Sequence, residues 1–353
     1  MTDDVRSTVA AGSRPGAALP HAPTLEEVAR LAGVSRSTAS RAINGGLKVS
    51  PAAQAAVDAA IAQLNYAPNR AARSLVTRRT DSVALVVPEP DERVLTDPYF
   101  AGTLQGITAA LEETDIQLVL LIARRGEEAK RTTRYLMNRH VDGAVVVSHH
   151  RDDALDRVLH DSRLPTVFVG RPWNSADDVS FVDVDNELGG RAATEHLIRA
   201  GCTRIATIAG PLDMAAGLDR LAGWRSALHD AGLSDEAMAR GDFTTAGGAA
   251  ATERLLAAYP DIDGIFAASD LMAAGALGVL ARHARSVPHD IKVVGYDDLG
   301  VATSTAPPLT TMRNPVVEMS RAAGELLLAK LTGADEVAVP RVFHAELVVR
   351  ESV

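Results

Sequence analysis

The sequence predicts a small helix-turn-helix unit followed by a much larger two-lobed α/β body. Two short helices with a glycine between them lie near the start of the 353-residue chain. After residue 80, apolar strands alternate with helical segments and the alternation restarts once, which is typical of two parallel-sheet lobes. Charge divides at the same place: residues 24–79 carry +5 and residues 80–353 carry −14.

The first helix is predicted to begin after Thr24. Thr24 and Glu27 have the spacing of a capping box, in which each side chain binds the other's main-chain amide. Apolar residues then recur at helical spacing, and Gly33 ends the helix where a left-handed backbone costs least. A further helix is expected from Ser50-Pro51, because serine is a good cap and proline suits the first helical position.

The second helix is predicted to start after Ser35, which is its cap. In helix-turn-helix proteins this helix enters the major groove, where arginine binds guanine bidentately. The unit is therefore predicted to bind double-stranded DNA. A helical hairpin without a DNA role is the alternative, and the basic second helix argues against it. The predicted DNA-contacting residues here are Thr24, Ser35, Arg36, Ser37, Thr38, Arg41 and Asn44.

Composition excludes several classes of protein. Cys202 is the only cysteine, so neither a disulfide nor a paired-cysteine zinc site can form within one chain. No apolar run reaches about 18 residues and the N-terminus lacks a signal-peptide core, so we expect a cytoplasmic protein without a membrane partner. Residues 1–23 are rich in Ala, Gly, Pro and Ser and are predicted to be a disordered tail.

The body is predicted as two sets of parallel strands joined by helices. Its strands are expected at 83–87, 117–123, 143–148, 165–170, 179–183, 204–210, 264–268 and 293–297, with a last one near 342–349. Its helices are expected at about 99–113, 126–139, 152–160, 186–200, 217–231, 245–259, 270–284 and 315–331. Ligands of such sheets bind beyond the carboxyl ends of the strands, so a cleft between the lobes is the predicted binding site.

Four short motifs follow apolar strands and are candidates for this cleft. They are Gly170-Arg171, Gly210-Pro211, Ser269-Asp270 and Asp297-Asp298. Each of them alone could be a helix cap or a turn. Their shared position at strand ends favours a common binding site.

The motifs resemble those of the LacI/GalR family of bacterial repressors, in order and spacing, from Thr24 to about Ser352. They include the Thr24–Asn44 helix pair, the stretch 65–75, Arg220-Leu221-Ala222-Gly223-Trp224 and Val294-Gly295-Tyr296-Asp297-Asp298. Within that family, segments 75–81, 170–172 and 208–214 are similar to those of actinobacterial repressors of cellobiose and β-glucoside utilisation. The implied body is the two-lobed fold of periplasmic binding proteins.

The resemblance also implies a homodimer on a pseudo-palindromic operator and a hinge helix that forms on DNA. The expected domains are a helix-turn-helix at 24–67, a hinge at 68–80 and a core at 81–353. Asn69, Arg70, Ala72 and Leu75 are then further DNA contacts. Leu75 would be a wedge that unstacks one base step in the minor groove; packing within a short linker helix is its alternative explanation.

For the effector, the resemblance implies a small carbohydrate. Charged side chains bind sugar hydroxyls and aromatic faces cover the ring. The candidate residues are Tyr99, Phe100, Arg171, Trp173, Arg220, Phe243, Ser269, Asp270 and Asp297. Ser269 stands where the family usually has asparagine. Phe100 and Phe243 could equally pack in a core, and Trp224 is expected to do so.

The sequence leaves the sign of the response open, because the sugar could be an inducer or a corepressor. A periplasmic-type sugar-binding protein and an α/β carbohydrate enzyme are the competing classes. The first would lack the helix-turn-helix, and no nucleophile, phosphate-loop or metal-site motif supports the second. His149-His150 is interpreted as a surface turn rather than a metal site, and no cofactor is expected. Lobe 1 is predicted at about 81–183 and 314–337, and lobe 2 at about 184–313 and 338–353.

Overall fold

The computed structural model describes residues 23–43, 49–67, 79–124, 126–151, 158–159, 162–173, 179–333 and 340–353. The chain separates into two compact units, residues 1–78 and residues 79–353. Several predictions fall outside the described residues: the tail, most of the hinge, most of the helix at 152–160, and Asn44, Asn69, Arg70, Ala72 and Leu75.

The first unit contains three helices, α1 Leu25–Leu31, α2 Arg36–Ile43 and α3 Pro51–Leu64. The predicted capping box is present at α1, where the Glu27 amide donates to Thr24 Oγ1 and the Thr24 amide donates to Glu27 Oε2. Gly33 has the expected positive φ of 65°. Small and branched side chains from all three helices form one buried core: Val28, Ala29, Ala39, Ala42, Val57 and Ala60.

The second unit contains two six-stranded sheets, and we call the sheets with their helices lobe 1 and lobe 2. In lobe 1 the strand order is β11-β5-β4-β3-β1-β2, and in lobe 2 it is β12-β10-β9-β8-β6-β7. The strands are β1 Ser82–Val87, β2 Gln117–Ile122, β3 Gly143–Val147, β4 Thr166–Val169, β5 Ser180–Val184, β6 Ile205–Ala209, β7 Met238–Arg240, β8 Gly264–Ala267, β9 Lys292–Asp297, β10 Thr310–Arg313, β11 Arg341–Phe343 and β12 Glu346–Val348.

Helices cover these sheets. They are α4 Asp91–Thr96, α5 Pro98–Leu111, α6 Glu127–Met137, α7 Asn186–Arg199, α8 Ala215–Asp230, α9 Thr245–Ala258, α10 Asp270–Arg282, α11 Val301–Ser304 and α12 Val316–Thr332. All pairings are parallel except that of β12 with β10. Strands β3, β5, β6 and β8 are buried along their whole length, as their continuous apolar runs predict for a sheet covered on both faces.

The end of the chain differs from the prediction of one strand near 342–349. Strand β11 pairs with β5 in lobe 1, whereas β12 pairs with β10 in lobe 2. The apolar pattern does not reveal the break, because His344-Ala345 between the two strands is not a turn sequence. Residues 341–343 therefore belong to lobe 1, and the predicted lobe boundary at 338 moves to 344–345. The chain also crosses between lobes after β5 and after β10.

Candidate DNA-binding and ligand-binding sites

The second helix of the first unit presents its polar side chains to solvent. Ser35 caps it, with its Oγ 3.1 Å from the Thr38 amide. Arg36 and Ser37 are exposed, and Arg41 is exposed too, with its Nε 3.1 Å from the Ser37 carbonyl oxygen. Thr38 is half-buried at the contact with α1. The predicted base-reading side chains thus share the free face of α2, where a DNA groove could reach them.

In the second unit, a cavity lies where the carboxyl ends of the two sheets face each other. It encloses about 680 Å³, counted with the part open to solvent, within the size range of small-molecule sites. Six of the nine predicted effector residues line it: Tyr99, Arg171, Arg220, Phe243, Ser269 and Asp297. The strand-end prediction therefore brought together residues that are almost 200 positions apart.

Arg220 and Asp297 form the polar centre of this cavity. Arg220 Nη1 lies 3.6 Å from Asp297 Oδ1, and its guanidinium stacks 3.6 Å from the centre of the Tyr296 ring. Arg220 Nε donates to Asn186 Oδ1 at 2.8 Å, and Nη1 donates to the Ala268 carbonyl oxygen at 2.6 Å. These contacts fix a buried guanidinium with its remaining N–H groups at the cavity.

Asp297 is held in a costly state. Its φ is 119° and that of Asp298 is 55°, conformations that cost non-glycine residues about 1–3 kcal/mol each. Burial raises the pKa of Asp297 to about 7, with Arg220 acting in the opposite direction. Strain and desolvation at one carboxylate are typical of a functional site.

Asp270 lies behind the cavity wall rather than in it. Burial raises its pKa to about 8, with the charge of Asp297 acting in the same direction. It accepts hydrogen bonds from Thr311 Oγ1 at 2.6 Å and from the Asp298 amide at 2.7 Å. The sequence placed Asp270 in contact with the effector; the structure gives it the role of holding the strained 297–298 turn. Ser269 caps α10 and also lines the cavity.

Two of the aromatic predictions are corrected. Phe100 is 2% exposed and packs in the lobe 1 core, because helix periodicity turns it away from the neighbouring Tyr99. Trp173 is not among the described residues that line the cavity; its ring lies 4.3 Å from the Arg151 guanidinium. Phe243 does line the cavity although it is buried, and Trp224 is fully buried as predicted.

Arg171 links the two lobes across the cleft. Its Nη2 lies 2.7 Å from both carboxylate oxygens of Asp219 on α8. A second link runs through His150, whose Nδ1 lies 2.9 Å from Asp213 Oδ2 in lobe 2 and whose Nε2 lies 3.1 Å from Glu89 Oε1 in lobe 1. The lobes are thus joined by charged contacts that a change of lobe angle would break.

Sequence reasoning missed several lining residues. Arg93 and Asp97 come from α4 and its end, a six-residue helix too short for a periodic pattern. His149 also lines the cavity and is 6% exposed, so the interpretation of a surface turn is wrong. Its position directly after the apolar β3 was the available signal. Across the described residues, no group of histidine, cysteine and carboxylate side chains could hold a metal ion.

Comparisons with known proteins agree with this architecture. Residues 24–69 match the model of bacterial regulatory proteins of the lacI family, and residues 194–353 match that of the periplasmic binding protein-like domain. The HTH-type transcriptional regulator CelR of Thermobifida fusca is 50% identical over 94% of this chain and 98% of its own.

Two solved structures are similar over nearly the whole chain. A transcriptional regulator CelR–cellobiose complex is 47% identical with a TM-score of 0.76, covering 94% of this chain and 100% of its own. The Lac repressor dimer bound to operator and the anti-inducer ONPF is 27% identical with a TM-score of 0.84, covering 94% and 99%.

A helix-turn-helix unit joined to a two-lobed ligand-binding body defines a DNA-binding transcriptional regulator. This chain belongs to the LacI family of bacterial regulators. In the part of the chain that the structure describes, no helix is both long and apolar enough to cross a membrane.

Proposed function

We propose that this protein represses carbohydrate-utilisation genes as a homodimer on a pseudo-palindromic operator, and that cellobiose or a related β-glucoside releases it. The cavity carries the proposal. Three arginines and three aspartates line it, Arg93, Arg171 and Arg220 with Asp97, Asp183 and Asp297. Such a balance suits a neutral ligand with many hydroxyl groups, because each hydroxyl can accept from a guanidinium and donate to a carboxylate.

The similarity to a regulator solved with cellobiose supports the choice of sugar. The aromatic rings of Tyr99 and Phe243 at the same cavity supply apolar surface for the C–H face of a pyranose. The relatives are regulators, so we propose no turnover of the sugar, and a protein that binds operator DNA works in the cytoplasm.

The response follows from a two-state equilibrium. Without sugar, the lobes hold the paired helix-turn-helix units at operator spacing. Sugar shifts the lobe arrangement by as much as its affinities for the two states differ. The links between Arg171 and Asp219 and between His150 and Asp213 are contacts that such a shift would change.

A gel shift on DNA from upstream of the protein's own gene tests the proposal. The complex should disappear as cellobiose is added, with cellotriose, maltose and xylobiose as comparison sugars. Loss of the complex with maltose alone would reassign the effector, and tighter binding with sugar would make it a corepressor. Hydrolysis of the sugar by purified protein would instead support the enzyme class.

A further inference from the structure

The wall of the cavity contains polar atoms that no protein group satisfies. Seven buried side-chain nitrogen or oxygen atoms of the described residues have no hydrogen-bond partner, and three of them belong to cavity-lining residues: Arg93 Nε, His149 Nδ1 and Asn314 Oδ1. Native structures almost always provide partners for such atoms, from the protein, water or a ligand. Their concentration at one cavity indicates that a ligand provides them.

The unsatisfied atom of His149 is a hydrogen-bond acceptor. Its Nε2 lies 3.0 Å from the main-chain oxygen of Arg171, and a carbonyl oxygen only accepts, so Nε2 carries the proton. Burial lowers the pKa of His149 to about 4, which keeps the imidazole neutral near pH 7. A neutral imidazole has a single N–H. Nδ1 therefore has a free lone pair.

Arg93 provides a donor on the same lobe. Its Nη1 donates to Glu89 Oε1, an oxygen that also accepts from Ser148 Oγ at 2.7 Å. One carboxylate thus holds both Arg93 and the residue that precedes His149. The Arg93 guanidinium lies 5.4 Å from the centre of the Phe243 ring, which belongs to lobe 2. Arg93 therefore lies on the lobe 1 wall, opposite the lobe that carries Arg220 and Asp297.

We propose that Arg93 and His149 form a second polar subsite, on lobe 1, that binds hydroxyl groups of the effector. His149 Nδ1 accepts a hydrogen bond from one hydroxyl, and Arg93 donates to the oxygen of a neighbouring one. The inference rests on the proposed sugar effector. It requires a ligand that presents hydroxyl groups to both lobes at once, which a disaccharide such as cellobiose does better than a single glucose.

Two replacements of His149 separate ligand binding from a structural role. In His149→Asn the amide can place an acceptor near the position of Nδ1, whereas in His149→Gln it can keep the donor to Arg171 but lacks that acceptor. Calorimetry with cellobiose should show a loss of about tenfold or more in His149→Gln and less than about threefold in His149→Asn. His289→Gln, at an exposed histidine, is the matched control.

Arg93→Lys keeps the charge beside Glu89 but removes Nε, and should weaken cellobiose binding while changing glucose binding little. Wild-type cellobiose affinity in both His149→Gln and Arg93→Lys would overturn the subsite. So would a His149→Asn protein that binds as weakly as His149→Gln and melts at a lower temperature without ligand, since that pattern marks a structural role. A wild-type protein that binds no cellobiose would instead overturn the proposed function.

Discussion

At the scale of single residues, Asp297 combines burial, backbone strain and charge. Replacing it by alanine should leave operator binding intact and give a repressor that sugar no longer releases. Hydrogen bonds to charged groups are worth about 1.5–3 kcal/mol, so sugar affinity should fall roughly 10- to 150-fold. Isothermal calorimetry checks this, with the exposed Asp290→Ala as control. Wild-type affinity in Asp297→Ala would show that the effector binds elsewhere.

The pKa of Asp297, raised by burial to about 7, predicts a pH dependence. An ionised carboxylate accepts hydroxyl hydrogen bonds, and protonation competes with this. Sugar affinity should therefore fall by up to about tenfold for each pH unit below 7 and level off above pH 8. The neighbours that influence this titration are Arg220, Asp97, Asn314 and Arg93.

Calorimetry between pH 5.5 and 8.5 measures this dependence. Most of it should vanish in Asp297→Asn, because the amide does not titrate. A sugar affinity that rises on acidification in the wild type would contradict the assignment of Asp297 as the acceptor.

Arg41 offers a second test at this scale, because it lies on the exposed face of α2. Arg41→Ala should abolish specific operator binding and leave sugar binding unchanged, since loss of one good bidentate base contact costs about 1–3 kcal/mol. Arg199→Ala removes the same charge from the body and should bind operator normally. Equal gel-shift affinity of wild type and Arg41→Ala would refute the groove assignment.

At the scale of elements, close packing of α7 on α8 positions Arg220. A Cβ on Gly223 would lie 2.1 Å from the Glu187 carbonyl oxygen, whereas a Cβ on Gly278 would meet only Arg282 Nη1, at 3.9 Å. Gly223→Ala should therefore destabilise the body by about 1–3 kcal/mol. Gly278→Ala should be neutral or stabilise by up to about 1 kcal/mol.

Thermal unfolding of both variants checks the pair, and calorimetry adds a functional measurement. Gly223→Ala should also weaken sugar binding, because α7 carries Asn186, which accepts from Arg220 Nε. If Gly223→Ala melts at the wild-type temperature, the close packing of the two helices is not what limits this position.

The hinge element lies outside the described residues, and the role of Leu75 stays a prediction from the sequence. Leu75→Ala should weaken specific operator binding more than non-specific binding, because only a kinked site repays the insertion of an aliphatic wedge. Gel shifts on operator and on scrambled DNA compare the two. Equal losses on both DNAs would argue for a packing role.

Elements with a long regular pattern could be predicted from the sequence. The run Val83–Val87 and the capping box of Thr24 with Glu27 have strong local causes, and the structure contains both. Helix α4 and the division between β11 and β12 have none: a six-residue helix shows no period, and a strand's choice of sheet depends on tertiary packing. Arg93 and Asp97 were missed because they come from α4.

The candidate site was predictable to the same extent. Strand ends identified Arg171, Ser269 and Asp297 as cavity residues, since parallel sheets place all carboxyl ends together. The sequence could not separate lining from support, which placed Asp270 in the wall instead of behind it. Nor could it show that His149 is buried, because burial of a strand-end side chain depends on the opposite lobe.

At the scale of the whole molecule, the account claims that one protein couples an operator to a sugar. Thermodynamic linkage makes this coupling reciprocal: sugar must weaken operator binding by the same factor by which operator weakens sugar binding. Such factors are commonly about 5- to 150-fold. The three crossings of the chain between the lobes, together with the charged links across the cleft, provide the physical connection within the body.

The most direct measurement of that claim is the full binding cycle with cellobiose and the operator. Operator affinity is measured by fluorescence anisotropy with and without saturating cellobiose, and cellobiose affinity by calorimetry with and without operator. We expect both affinities to fall by the same factor, at least about fivefold. An operator affinity that cellobiose leaves unchanged, in a protein that binds both ligands, would contradict the account.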